Sequence, residues 1–231
     1  MADRGDDVRP ALRLVTPALL FDLDGTLVDS DGDHLEAFQE VFAPFGIALN
    51  RALYVREIMG APNSAIGARF LPQLSVSERE QVLDAKEAAY RARVGAMVPT
   101  VGAVALLDYA RERGLPCAVV TNAPRANAEQ VLTALGLSIR FQTLVIGPEL
   151  ARGKPDPLPY LTGLERLGAK ASHALAFEDS LSGVRAAAAA GIAVVGITTG
   201  LPSEALIGAG AAFAAADFGD PRIYDWIAAR I

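Results

Sequence analysis

The sequence predicts an α/β protein: a parallel sheet covered by helices on both faces, with an all-helical segment inserted after the first strand. Three observations predict it. From residue 99 onward, short apolar runs alternate with helical patterns, as in successive βαβ units. Residues 31–98 show helical periodicity and no convincing strand. The stretch Ala18-Leu19-Leu20-Phe21, ahead of that block, is an apolar run ended by Asp and Gly, which reads as a buried parallel strand stopping at a tight turn.

Taken in order, residues 1–14 read as a flexible tail and 17–22 as the first strand. Asp31-Gly32-Asp33 reads as an acidic turn. The helix expected over 34–45 places Leu35, Phe38, Val41, Phe42 and Phe45 on one face, with Pro44 weakening its end. Helices are expected over 51–59, 63–71 and 77–94, the last with Ser77 and Glu80 as a capping box. Val98-Pro99-Thr100-Val101-Gly102 marks a boundary. Beyond it, strands are expected at 116–121, 142–146, 173–178, 192–197 and 211–215. The helices between and after them fall at 102–113, 125–135, 158–168, 181–190 and 221–230. Residues 15–30 and 99–231 thus form the sheet core, and 31–98 lie over the end of its first strand, where a lid belongs.

The composition narrows the function. The 231 residues are 52% hydrophobic with a net charge of -6, which describes a globular chain with a sizeable core. No Lys/Arg cluster stands out, so nucleic acid is not an expected partner. The longest uncharged run, Ala186–Ser203, is broken by Gly191, Gly196, Gly200 and Pro202 and does not read as a membrane span. The N-terminal stretch lacks the apolar core of a signal peptide, and a cytoplasmic location is expected. The single cysteine, Cys117, forbids an intramolecular disulfide and, beside Ala118, Val119 and Val120, reads as a small buried hydrophobe.

Chemistry concentrates at four strand ends. Asp22 and Asp24 stand at the first, before Gly25 and Thr26. Two crowded carboxylates repel unless a cation lies between them or one takes up a proton. A cation, a carboxylate nucleophile and a second carboxylate as acid/base suit phosphoryl transfer. Thr121 and Asn122 end the second; the hydroxyl and the Asn122 backbone N–H can hold a phosphate oxygen, or merely cap the next helix. Lys154, between Gly153 and Pro155, follows the third and offers a fixed ammonium, or a surface lysine in a Pro-rich turn. Glu178 and Asp179 end the fourth. With Asp22 they make an oxygen-rich site suited to Mg²⁺, and they also fit an acidic N-cap.

DLDGT, VVTNA, GKPDP and FEDS, in that order, resemble the four signature motifs of the haloacid dehalogenase-like hydrolase superfamily, and the helical block resembles its C1-type cap. The resemblance spans about residues 16–231 and points to the subgroup of phosphoglycolate phosphatases and β-phosphoglucomutase-like proteins. It implies a Rossmann-like core and a mobile cap. By position, Asp22 is then the nucleophile that becomes an aspartyl-phosphate and Asp24 the acid/base. Thr121, Asn122 and Lys154 are phosphate-binding. Mg²⁺ is held by Asp22, the backbone carbonyl of Asp24, and Asp179, with Glu178 in support. The carboxylate at Asp24 points to a phosphate ester, and so to a small phosphorylated metabolite as substrate. His34 stands where the mutases carry a cap histidine, and Asn63 and Arg69 are further cap candidates. Met59-Gly60-Ala61-Pro62-Asn63 lacks the basic residues a mutase uses there, which favours a phosphatase over a phosphomutase. A phosphoester-binding protein without turnover is the alternative of another class, and the complete Asp22, Asp24, Lys154 and Asp179 set argues against it.

Overall fold

A strand covered on both faces needs apolar side chains throughout, and the central strand β1 (Ala18–Phe21) has them: all four residues are buried. The structure, a computed structural model, describes residues 17–95 and 97–230. The expected tail at 1–14 lies outside the described residues. After β1 come α1 (Asp31–Phe42), α2 (Arg51–Glu57), α3 (Asn63–Phe70) and α4 (Val76–Arg91), with no strand among them. Alternation follows: α5 (Ala103–Glu112), β2 (Cys117–Thr121), α6 (Arg125–Ala134), β3 (Thr143–Ile146), α7 (Leu158–Leu167), β4 (Ala174–Glu178), α8 (Leu181–Ala189), β5 (Ala193–Ile197), α9 (Ser203–Ala209), β6 (Phe213–Ala215) and α10 (Pro221–Ala228).

All six strands run parallel in the order β3-β2-β1-β4-β5-β6. The chain winds outward from β1 in one direction, then returns to β4 on its other side. The switch point therefore lies at β1, where ligands bind in such sheets. Side-chain alternation divides the core. Leu19, Phe21, Val119 and Phe177 pack against α5, α6 and α10, while Leu20, Val120 and Ala176 pack against α7, α8 and α9. The helical insert has its own cluster, which includes Phe38, Phe42, Tyr54, Ile66 and Leu83. Cys117 is buried, as its neighbours predict, and burial pushes its thiol up to about 12.

Local expectations failed in three places. Residues 31–33 are the first turn of α1, not a free turn. Asp31 and Asp33 sit where the helix dipole favours anions, and Asp31 is buried, accepting hydrogen bonds from Tyr54 and Arg51. The capping box is Ser75 with Glu78, two residues before the expected pair, because Ser75 takes the extended backbone an N-cap needs. Between β5 and β6, where the sequence assigns no helix, lies α9, which opens after Pro202 and buries Leu206 against β5 and β6.

Candidate active site

The sheet register brings the acidic residues together. Phe21 pairs with Phe177, and the Asp22 N–H still donates to the Phe177 carbonyl at 3.0 Å, so Asp22 emerges beside Glu178. Asp179 is the next residue. Asp22, Glu178 and Asp179 are buried, and each offers an oxygen within 4.8 Å of the others. Two glycines make room. A Cβ on Gly25, whose φ is +78°, would stand 2.1 Å from Asp179 Oδ2, and one on Gly183 would stand 1.9 Å from Glu178 Oε2.

One ammonium answers two of the three carboxylates. Lys154, 3% exposed, places Nζ 2.6 Å from Asp22 Oδ1 and 2.5 Å from Glu178 Oε1. The Tyr160 hydroxyl also donates to Glu178 Oε1, at 2.6 Å, and Thr26 donates to Asp179 Oδ1 at 2.9 Å. Burial raises the Asp22 carboxyl to about 8; Lys154 pulls it down, and Glu178 pushes it up. Burial, then Asp22 and Glu178, raise Asp179 well above the carboxylate range. Fully ionised, the four groups carry an excess of two negative charges. The donors are all hard oxygens, buried and convergent. That set fits a divalent cation of the Mg²⁺ or Ca²⁺ type and does not resemble a zinc site.

Asp24 differs from Asp22. Its side chain is 21% exposed and faces the insert. Oδ1 accepts from Ser30 Oγ at 2.7 Å and from the Tyr90 hydroxyl at 2.9 Å, and His34 Nε2 lies 3.3 Å away. Burial alone would raise the Asp24 carboxyl, but His34 and the hydrogen bonds from Ser30 and Tyr90 outweigh it and hold it near about 2. Lys86 Nζ sits 2.9 Å from His34 Nδ1. The His34 ring thus bridges Lys86 on one side and Asp24 on the other. The chain of contacts continues to Glu87, which accepts from Lys86, Asn63 and Asn127. Asn127 belongs to α6, so this network ties the insert to the sheet core.

Thr121, Asn122 and Lys154 line the same cavity of about 110 Å³ as Asp22, Asp24 and Asp179. Thr121 Oγ1 accepts from the Ala123 N–H. The Asn122 side chain grips the Lys154 backbone: Oδ1 accepts from its N–H at 3.1 Å and Nδ2 donates to its carbonyl at 3.2 Å. This clamp, together with Pro155, fixes the lysine loop. His34 and Asn63 line the cavity. Arg69 does not; it pairs with Glu57. Sequence reasoning missed Ser30, Asp31, Tyr54, Lys86, Glu87, Tyr90 and Tyr160. A signal existed for α4: Leu83, Lys86, Glu87 and Tyr90 share its buried face, and a charged pair on an apolar stripe marks a built polar contact.

Fold and site together define a class: a doubly wound α/β protein whose acidic, cation-compatible centre lies at the switch point beneath a helical insert. The chain belongs to the haloacid dehalogenase-like hydrolases, whose family model matches residues 19–197. It is 36% identical over 189 residues to the validoxylamine A 7'-phosphate phosphatase of Streptomyces hygroscopicus subsp. limoneus, covering 81% of this chain and 88% of the relative. It is 33% identical over 220 residues to the phosphoglycolate phosphatase of Rhodospirillum rubrum, covering 91% and 90%. Among solved structures, a mutant CbbY from Rhodobacter sphaeroides in complex with xylulose-(1,5)bisphosphate superimposes with a TM-score of 0.76 at 27% identity, covering 89% of this chain and 96% of that one. Phosphatases of this family generally use a divalent metal, and the Asp22, Glu178 and Asp179 cluster is compatible with one.

Proposed function

We propose that this protein is a Mg²⁺-dependent phosphatase of a small phosphomonoester, of the sugar phosphate or phosphoglycolate type. One observation carries the reading: Asp22 lies buried against Lys154, while Asp24, two residues on, faces the same cavity in a different environment. Two carboxylates with divergent surroundings take divergent roles.

Asp22 attacks phosphorus and becomes an aspartyl-phosphate as the leaving oxygen takes a proton from Asp24. Asp24 then takes a proton from water, which attacks phosphorus and releases Asp22 and inorganic phosphate. In the free protein Asp24 is held as a base. The arriving phosphate dianion raises its proton affinity, the direction an acid requires. Lys154 and the Thr121 hydroxyl face the phosphoryl oxygens, and Asn122 supports Lys154 through its backbone. Asp22, Asp179 and the Asp24 carbonyl would hold Mg²⁺, with Glu178 in support through its grip on Lys154. When bound, the ion supplies countercharge to the phosphoryl group. Residues 15–30 and 99–231 act as the core and 31–98 as a cap that closes over the ester. No helix among the described residues is long and apolar enough to cross a membrane, and we place the protein in the cytoplasm.

The test is phosphate release from a panel of small phosphomonoesters, with Mg²⁺ and with EDTA. Metal-dependent release that Asp22→Asn abolishes without unfolding is expected. Turnover by Asp22→Asn would remove the mechanism.

A further inference from the structure

The cavity beside Asp22 and Asp24 extends onto the helical insert. Its wall on the insert side sets apolar residues, Phe38, Ile58, Met59 and Ile66, beside the polar groups of Asp31, His34, Asn63, Lys86 and Glu87. Among the described residues lining it, Lys154 and Lys86 carry the ammonium groups. Lys154 is taken by Asp22 and Glu178. Lys86 is buried, and its Nζ reaches His34 Nδ1 at 2.9 Å and the two Glu87 oxygens at 3.0 and 3.1 Å. The Glu87 carboxylate thus lies against the Lys86 ammonium and neutralises it. The same Nζ lies 4.5 Å from the centre of the Phe38 ring, which closes its remaining side. The nearby buried anion, Asp31, draws its arginine, Arg51, into a pair at 3.2 Å. A second anionic group in this cavity would meet the Asp31 and Glu87 carboxylates, a lysine that Glu87 neutralises, a histidine held against Asp24, and apolar side chains.

We infer that the substrate is the phosphate monoester of an uncharged, polyhydroxylated alcohol, and that a distal carboxylate or second phosphate is rejected. Asp31 and Asn63 accept hydroxyls on one side, and the apolar side chains take the carbon skeleton. The inference rests on the phosphatase reading and narrows it, away from phosphoglycolate and from bisphosphates. It sets the chain apart from relatives named for those ligands. It also deprives a mutase cycle of the second grip its bisphosphate intermediate requires.

The experiment compares kcat/KM, with Mg²⁺, within two matched pairs. Glycerol 3-phosphate is set against 3-phosphoglycerate, and sorbitol 6-phosphate against 6-phosphogluconate. In each pair one hydroxymethyl becomes a carboxylate on the same skeleton. The neutral member is expected to be preferred by about tenfold or more in both pairs. In Lys86→Met both members change alike and the ratio stays constant, because Lys86 holds no distal anion. Equal rates, preference for the anionic member, or selective loss of the anionic member in Lys86→Met overturns the inference and leaves the phosphatase standing. Release from none of the four esters but from phosphoglycolate overturns the inference alone, and release from neither these nor the wider panel rejects both.

Discussion

Lys154→Met tests the electrostatic core of the site. Methionine keeps an apolar stem in the site and removes the ammonium, which lies 5.2 Å from the centre of the Tyr160 ring. The parent ammonium touches Asp22 and Glu178, both buried, and Asp179 lies in the same cluster. Removing one partner of a buried ion pair costs about 3–5 kcal/mol when the charge left behind cannot reach water. Here the carboxylates can answer by taking up a proton, and the sign of the pH dependence follows. Asp22 is raised from 3.8 to about 8 by burial, so the folded protein binds more protons than the unfolded chain between those values. Stability from such a group is present at low pH and is lost as pH rises through the window. Without Lys154 the folded carboxylates rise further, and the folded variant takes up one proton more than the parent on acidification. That proton returns up to about 1.4 kcal/mol per pH unit. Urea unfolding in EDTA should therefore show a loss of about 3 kcal/mol or more at about pH 8 and under about 1 kcal/mol at about pH 5.5. Phosphate release should fall by about two to three orders of magnitude, the usual cost of one positioned charge-stabilising donor. An equal loss at both pH values would mean that Lys154 acts by packing, and an unchanged stability at the higher pH would refute its role as countercharge.

Two further expectations concern the same cluster. A divalent cation competes with the protons that burial forces on Asp22 and Asp179, so Mg²⁺ should raise Tm more at about pH 8 than at about pH 5.5, and Asp179→Asn should abolish the increment. A pH-independent increment in thermal scans would place the ion elsewhere. Asn122→Ala deletes both bonds to the Lys154 backbone and should cost about 2 kcal/mol of stability at about 1 kcal/mol per bond. It should also lower kcat; a variant with parental stability and kcat would show that Pro155 alone fixes the loop.

The sheet, its helices and the four strand-end motifs were legible because each is local. An apolar run ended by Asp and Gly announces a buried strand and its mouth, and those mouths share one edge whenever the strands are parallel. What was not legible depended on partners far along the chain. At 31–33, Asp and Gly read as a turn, yet Tyr54 and Arg51, more than fifteen residues away, reward the helical form with hydrogen bonds to Asp31. No helix is assigned between β5 and β6 from the sequence, and packing of Leu206 on the sheet decides α9. Asn122 offered an amide whose partner, the Lys154 backbone, is 32 residues on.

By itself the sequence determined the α/β class, the helical insert, the acidic pair Asp22 and Asp24, and the roster of Thr121, Lys154, Glu178 and Asp179. These follow from side-chain periodicity and from chemistry carried within a few residues. The tertiary structure alone decided that Lys154 answers two carboxylates at once, that Ser30, His34 and Tyr90 converge on Asp24, and that Lys86 is already neutralised by Glu87. The reason is physical. A charge's effect depends on what lies within a few ångströms and on how much water remains, and both are set by chain segments that meet only when the sheet and the insert have packed.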